Sequence, residues 1–258
     1  MKEQTKSKLR GLSDILRAIG GDNRNRSTAA VIVAAGSGVR MQSETPKQFL
    51  KLGGIPVVVR AIQAFCESAY IDRIVCVIRK GDEERYRAFQ AKYAFSKPIS
   101  LVTGGETRQE SVLKGVESLK GTHIGYVAIH DGARPLVTPA DIDRVCLAAY
   151  EYRAATAAWH ATDTIKISGK DAFIASTPDR TTVWHATTPQ VFEMNLYETA
   201  AYKAKEDGFI TTDDNALCEH IGVPVKLIDC GKYNLKITEQ EDLALAEAML
   251  SLRSKPKE

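Results

Sequence analysis

From Ala29 onward, short apolar runs alternate with segments of helical period, and this alternation restricts the fold more than any other feature of the chain. Residues 29–34, 72–78, 99–103 and 125–129 are rich in β-branched and small apolar side chains and have strand length. Residues 58–68, 82–93 and 108–119 carry apolar side chains three and four apart, as helices do. A further helix starts at Thr138, where Thr-Pro-Ala-Asp supplies an N-cap, a proline at the first helical position and an acid three residues on. Continuous apolar strands separated by helices predict a doubly wound, mostly parallel sheet covered on both faces, an α/β fold of three layers.

The second half is patterned differently. Residues 156–168 and 173–177 read as strands around the turn Ser168-Gly169-Lys170, which predicts an antiparallel arm. A helix over 195–207, a strand over 225–229 and a last helix follow. That helix opens on a capping box, Thr238-Glu239-Gln240-Glu241, and runs through Leu243, Leu245, Ala246 and Met249. The organisation expected is a basic tail and linker over 1–27, one domain over 28–252 with its arm at about 160–187, and a polar end over 253–258.

Charge and composition remove several function classes. The 258 residues carry 35 basic and 32 acidic side chains. Seven of the basic residues and only three of the acidic ones fall within Met1 to Arg26, so the remainder is nearly neutral. A general nucleic-acid binder needs a basic stripe over its fold, and this chain has its excess in a tail. Any anion handled is therefore expected to be small and held locally, with no nucleic-acid partner. The longest apolar runs, such as Val57-Val58-Val59, are far short of the roughly 20 residues of a membrane span. Five cysteines without a C-x-x-C pair or a Cys/His cluster argue against a zinc site or a disulfide framework, and fit a reducing cytoplasm. In the tail, Leu9, Leu12, Ile15, Leu16 and Ile19 have helical spacing and Gly20-Gly21 is a stop. An amphipathic appendage follows from this; packing, targeting, membrane-surface and partner roles all remain open for it.

In parallel sheets ligands bind beyond the carboxyl ends of the strands, so the loops there carry the functional reading. The loop after the first strand is Ala34-Ala35-Gly36-Ser37-Gly38-Val39-Arg40-Met41, followed by Thr45-Pro46-Lys47-Gln48. Its glycines allow backbone N–H groups close to a phosphate, and Arg40 and Lys47 add charge. The dinucleotide fingerprint fails at Met41, and the P-loop pattern is absent. After the third strand stands Gly104-Gly105-Glu106-Thr107-Arg108-Gln109-Glu110-Ser111, either a ligand loop in which Ser111 reaches a base edge or a helix-capping turn. After the fourth stands His130-Asp131-Gly132-Ala133-Arg134-Pro135. Asp131 there could serve a metal, a substrate hydroxyl or an ion pair with Arg134.

Taken in order, these three loops resemble those of the 2-C-methyl-D-erythritol 4-phosphate cytidylyltransferase family. Asp163-Thr164-Ile165-Lys166, Asp179-Arg180 with Trp184, Thr188-Pro189-Gln190, Thr211-Thr212-Asp213-Asp214 and Asn234-Leu235-Lys236-Ile237-Thr238 extend the match over roughly residues 29–250. The resemblance implies a Rossmann-like nucleotidyltransferase fold and transfer of CMP from CTP to the phosphate of methylerythritol phosphate, with release of pyrophosphate. It implies Mg²⁺ carried mainly by the CTP phosphates, with no firm protein ligand. It further implies a cytoplasmic homodimer in which the arm is exchanged. By the family pattern Arg40, Lys47, Arg180 and Lys236 are catalytic. Ala34, Ala35, Gly36, Ser37, Gly38, Gly105, Glu106, Arg108 and Ser111 would bind CTP, and Asp131, Arg134, Thr164, Thr188 and Thr212 would line the acceptor pocket. Attack by a phosphate dianion needs no general base, which fits a set of cations without a nucleophile–histidine pair, and makes His130 and His185 structural. Trp159-His160-Ala161 and Asn215 depart from the family pattern on the acceptor side. A ribitol 5-phosphate cytidylyltransferase and a catalytically silent nucleotide-binding relative are the competing readings.

Overall fold

The computed structural model describes residues 25–36 and 45–253. The amphipathic tail, the loop residues Ser37, Gly38 and Arg40, and the polar end at 254–258 lie outside them. Strand β1 (Thr28–Ala34) leads to a 3-10 turn (Lys47–Phe49) and a small hairpin, β2 (Lys51–Leu52) with β3 (Ile55–Pro56). Then follow α1 (Val57–Glu67), β4 (Arg73–Ile78), α2 (Glu83–Lys92), β5 (Ile99–Thr103), α3 (Arg108–Glu117), β6 (Tyr126–Asp131) and α4 (Pro139–Tyr152). The second half contains β7 (Ala154–His160), β8 (Ile167–Ser168), β9 (Ile174–Ser176), β10 (Trp184–Glu193), α5 (Met194–Glu206), α6 (Asn215–His220), β11 (Lys226–Asp229) and α7 (Gln240–Arg253).

Seven strands form the central sheet in the order β11-β7-β10-β6-β1-β4-β5. All neighbours are parallel except β10, which runs against both β6 and β7. The α/β fold expected from the alternation is thus present. Its layers follow from strand periodicity: successive side chains of β1 point to opposite faces. Ala30 and Ile32 join one buried cluster with Val58, Ile62, Val145 and Cys146, from α1 and α4. Ala29 and Val31 join the other with Val112, Val116, Leu196 and Ala200, from α3 and α5. Each fully buried Val, Leu or Ile contributes about 1.5–3 kcal/mol from removal of apolar surface. Close packing also dictates Gly115: a Cβ there would stand 2.6 Å from the Val31 Cγ1 atom and 2.8 Å from the Val77 Cγ2 atom, so α3 could not lie on the sheet.

Helix starts were legible. Thr138 caps α4 by accepting from the Asp141 N–H at 3.1 Å, and Pro139 occupies the first turn. The last helix is capped differently from the expected box: Asp242, not Glu241, accepts from Thr238 N–H at 2.7 Å and Glu239 N–H at 2.9 Å. The helix begins at Gln240, one turn position later than the box required. The strand expected over 156–168 ends at His160, beyond which Ala161 N–H still donates to the Val183 carbonyl at 3.0 Å, and pairing resumes only at Ile167. Strand β10 has no counterpart in the sequence reading. Pro189 and a polar run argue against a central strand, yet β10 is central and absorbs the proline at a register shift between Ala186 and Gln190.

Candidate functional site

A cleft of about 510 Å³ opens at the carboxyl ends of β6, β1, β4 and β5. Its walls include Ala34, Ala35 and Gly36 after β1, Lys47, Gly105, Glu106, Arg108 and Ser111 around the start of α3, Asp131, and Lys236. The structure thereby brings together ten of the residues singled out above. Gln48 fixes the end of β1, donating to the Ala34 carbonyl at 3.2 Å. The Gly104-Gly105 turn is tight: a Cβ on Gly104 would lie 2.6 Å from that of Ala35 and 2.9 Å from the Ser111 Oγ. Ser111 is buried and its hydroxyl is occupied by the loop itself, accepting from Gly105 N–H at 3.0 Å and donating to the Thr107 carbonyl at 2.8 Å. It orders the glycine turn from behind. Thr107 caps α3, and the Glu110 carboxylate accepts the Glu106 N–H at 2.9 Å.

The floor is built on Asp131. Its Oδ1 pairs with Arg108 Nε at 3.2 Å, and its Oδ2 with Lys236 Nζ at 2.9 Å and Arg134 Nε at 3.5 Å. Burial pushes the Asp131 carboxyl up, but Arg108, Lys236 and Arg134 outweigh burial and hold it far below the usual carboxylate range. Lys236 is carried in by a loop bonded to the β6 turn, where Ile237 N–H donates to the Ala133 carbonyl at 2.8 Å. Arg134 Nη1 donates to the Asn234 carbonyl at 2.7 Å, which pins the same loop from the other side.

Beneath this floor lies His130. Its Nε2 stands 3.2 Å from the Arg134 carbonyl, which can only accept, so Nε2 carries the proton. Nδ1 is then the acceptor from the Thr188 hydroxyl at 2.9 Å, and Thr188 in turn accepts the Asp131 N–H at 3.2 Å. Burial lowers the imidazole to about 4, so His130 is neutral near pH 7 and supports the floor without shuttling a proton.

Five predicted residues stand away from the cleft walls of a single chain. Thr188 is buried behind Asp131, and the Arg134 guanidinium lies under the floor. Thr212 is exposed before α6, and Thr164 and Arg180 are exposed on the arm, where Arg180 Nη1 donates to the Thr162 carbonyl at 3.1 Å. The two departures from the family pattern are also outside the walls. Asn215 is buried, donating to Asp213 Oδ2 at 2.8 Å and Thr156 Oγ1 at 3.3 Å. Trp159 stacks on His185 with centroids 4.0 Å apart, and His160 meets Trp184 at 3.5 Å, across the paired strands at the root of the arm.

The sequence reading missed Arg79, Thr107, Gln48, Val33 and Ala133 as wall residues. Arg79 was findable: it directly follows β4, at the carboxyl end of a parallel strand. Among the described residues there is no group of three or more His, Cys, Asp or Glu that could hold a metal ion. Asp131, the carboxylate on the floor, is already balanced by three cations, so the donor set does not make a resident metal site.

Comparison with known proteins agrees with this geometry. The family model described as 2-C-methyl-D-erythritol 4-phosphate cytidylyltransferase matches residues 28–252. A protein of that name from Caldanaerobacter subterraneus subsp. tengcongensis is 44% identical over 226 residues, covering 87% of this chain and 99% of the relative. Another from Pelotomaculum thermopropionicum is 41% identical over 226 residues, covering 87% of this chain and 94% of its own length. The crystal structure of 4-diphosphocytidyl-2C-methyl-D-erythritol synthase from Anaerococcus prevotii superposes with a TM-score of 0.79 at 32% identity, over 87% of this chain and 96% of that one. A parallel sheet opening onto a cation-lined cleft and a match over nearly the whole described chain lead to one conclusion: the chain belongs to the 2-C-methyl-D-erythritol 4-phosphate cytidylyltransferase family.

Proposed function

We propose that this protein transfers CMP from CTP to 2-C-methyl-D-erythritol 4-phosphate, forming 4-diphosphocytidyl-2-C-methyl-D-erythritol and pyrophosphate in isoprenoid biosynthesis. The observation that carries the reading is the floor of the cleft, where Lys236, Arg108 and Arg134 surround one carboxylate at the carboxyl ends of the strands. An oxygen of the acceptor phosphate attacks the α-phosphorus of CTP, and the bond from that phosphorus to the bridging oxygen of the β-phosphate breaks. Two anions must meet in line, so alignment and charge compensation supply the catalysis.

In this reading Arg40 and Lys47 compensate the α-phosphate, and the backbone from Ala34 to Gly38 cradles the triphosphate. Gly105 and Glu106, ordered by Ser111, face the cytosine. Lys236 exchanges its contact with Asp131 for the attacking phosphate, and Arg180 joins it from the arm of a second copy. Asp131, Arg134, Thr164, Thr188 and Thr212 shape the acceptor side, Thr188 from beneath. Mg²⁺ arrives on the CTP phosphates as part of the substrate. The arm supports the dimer reading: Phe173 is 76% exposed and Ile174 64%, an apolar surface suited to covering by a second chain. Among the described residues no helix is long and apolar enough to cross a membrane. A cytoplasmic location belongs to the proposal as what the family resemblance implies.

The test measures pyrophosphate release with CTP or UTP, crossed with methylerythritol phosphate or ribitol 5-phosphate. The expected result is turnover with CTP and methylerythritol phosphate. Turnover only with the ribitol ester overturns the acceptor, and no turnover with any pair makes the protein a silent nucleotide binder.

A further inference from the structure

The floor of the cleft is tied to a second, deeper carboxylate. Asp214 is 1% exposed and sits just before α6. Its Oδ2 takes Arg108 Nη1 at 2.7 Å, and its Oδ1 takes the Tyr197 hydroxyl at 2.8 Å. Its own N–H donates to Gln190 Oε1 at 3.0 Å, so the backbone there is fixed to β10. Tyr197 on α5 is fully buried. The Arg108 guanidinium therefore presents one edge to Asp214 and its Nε to Asp131 Oδ1, while its side chain, 28% exposed, still borders the cleft.

A buried ion pair contributes little net stability, because desolvation offsets the attraction, so the bridge calls for a reason beyond folding. The reason lies in how the Asp131 oxygens are divided. Arg108 occupies Oδ1, which leaves Oδ2 for Lys236 and Arg134. With the carboxylate plane fixed, the resting position of Lys236 is fixed too. Without Asp214, Arg108 would be retained by Asp131 alone, beside a cleft that receives a triphosphate.

We propose that Asp214, backed by Tyr197, is a positioning residue for nucleotidyl transfer: it holds Arg108 on the floor, so that Arg108 orients Asp131 and stays off the nucleotide phosphates. The inference rests on the cytidylyltransferase reading above and deepens it. Arg108 then acts on substrate through Asp131 and Lys236 instead of binding CTP directly.

The test compares Asp214→Asn, Arg108→Lys and the milder Tyr197→Phe, with kcat and KM for CTP measured separately. Asp214→Asn is expected to lower kcat about tenfold or more, as misalignment does, with KM for CTP within about threefold of wild type. Arg108→Lys behaves the same way, because a single ammonium cannot span two carboxylates as the planar fork does. Tyr197→Phe gives a smaller loss in the same direction and serves if Asp214→Asn does not fold. A tenfold rise in KM for CTP at unchanged kcat in Arg108→Lys, or kcat within twofold of wild type in all three, overturns the proposal. A second readout is the Arg108 Nε–H resonance near neutral pH, assigned by its loss in Arg108→Lys. It is expected to be sharp in the wild type and broadened in Asp214→Asn or Tyr197→Phe; an unchanged signal overturns the proposal. If the wild type turns over no substrate pair, the functional reading fails and this resonance alone decides whether Asp214 holds Arg108.

Discussion

The floor of the cleft and the arm are opposite solutions to placing a cation. On the floor, Arg108, Arg134 and Lys236 are each tied to Asp131, and Arg108 and Arg134 have a further protein partner. On the arm, Arg180 is exposed and held by one backbone carbonyl, and the β8–β9 hairpin that precedes it contains no buried residue. The floor is organised before substrate arrives, so little is lost in ordering it during reaction. Among the described residues, Arg180 is in no salt bridge of the kind that ties the floor cations to Asp131. On the dimer reading proposed above, this difference is a division of labour: the sheet supplies the cleft with its ordered floor, and the arm of a second copy adds Arg180 to the acceptor side.

The largest expected effect falls on the cleft carried by the sheet, whose wall includes Lys47. Lys47→Ala should lower kcat about 10²- to 10³-fold in a pyrophosphate-release assay, as loss of a preorganised charge does. A near-normal rate removes Lys47 from the transition state and weakens the contrast. Next in size is acid sensitivity beneath the floor. The folded-state value of His130 is lowered to about 4 from an ordinary 6.5, so between those values the unfolded chain binds the proton and the folded chain does not. Stability should therefore fall as pH drops from 6.5 to 4, by about 3 kcal/mol from this residue. Denaturant titrations across that window check it, and His130→Asn should flatten the slope.

Smaller effects probe the arm. Arg180→Ala is expected to lower kcat about tenfold, as loss of one alignment contact does. If arms are exchanged, mixing and re-associating Lys47→Ala with Arg180→Ala gives heterodimers that carry one intact site, and about a quarter of wild-type activity returns. Mixtures no more active than their parts would put Arg180 in its own chain's site. Smallest of all, Phe173→Ser should change the unfolding free energy by less than about 0.5 kcal/mol, since the side chain is exposed in the single chain. Its effect should appear instead as weaker dimerisation in sedimentation.

Sequence patterning exposed the organised half more fully than the arm. β1, β4, β5 and β6 announced themselves as buried apolar runs, and their carboxyl-end loops carried Ala34, Gly105 and Asp131 to one cleft. Local capping chemistry located Thr138. What stayed hidden depends on contacts distant in sequence. Pro189 disguised β10, because a register shift that accommodates a proline is visible only once β6 and β7 flank it. Nothing local to Arg108 shows that Asp214, 106 residues away, takes its guanidinium. Asn215 looked like a change in the acceptor pocket and is an internal bond to Asp213 and Thr156.

The most direct test of the central claim is a crystal structure with methylerythritol 4-phosphate and the Mg²⁺ complex of α,β-methylene-CTP, in which the bridge to the leaving pyrophosphate cannot break. The expected result is the α-phosphate within about 3 Å of Lys47 Nζ and the acceptor phosphate within about 3 Å of Lys236 Nζ, as in charge-assisted hydrogen bonds. Both substrates bound with Lys47 turned away from the α-phosphate and Lys236 turned away from the acceptor phosphate would contradict it.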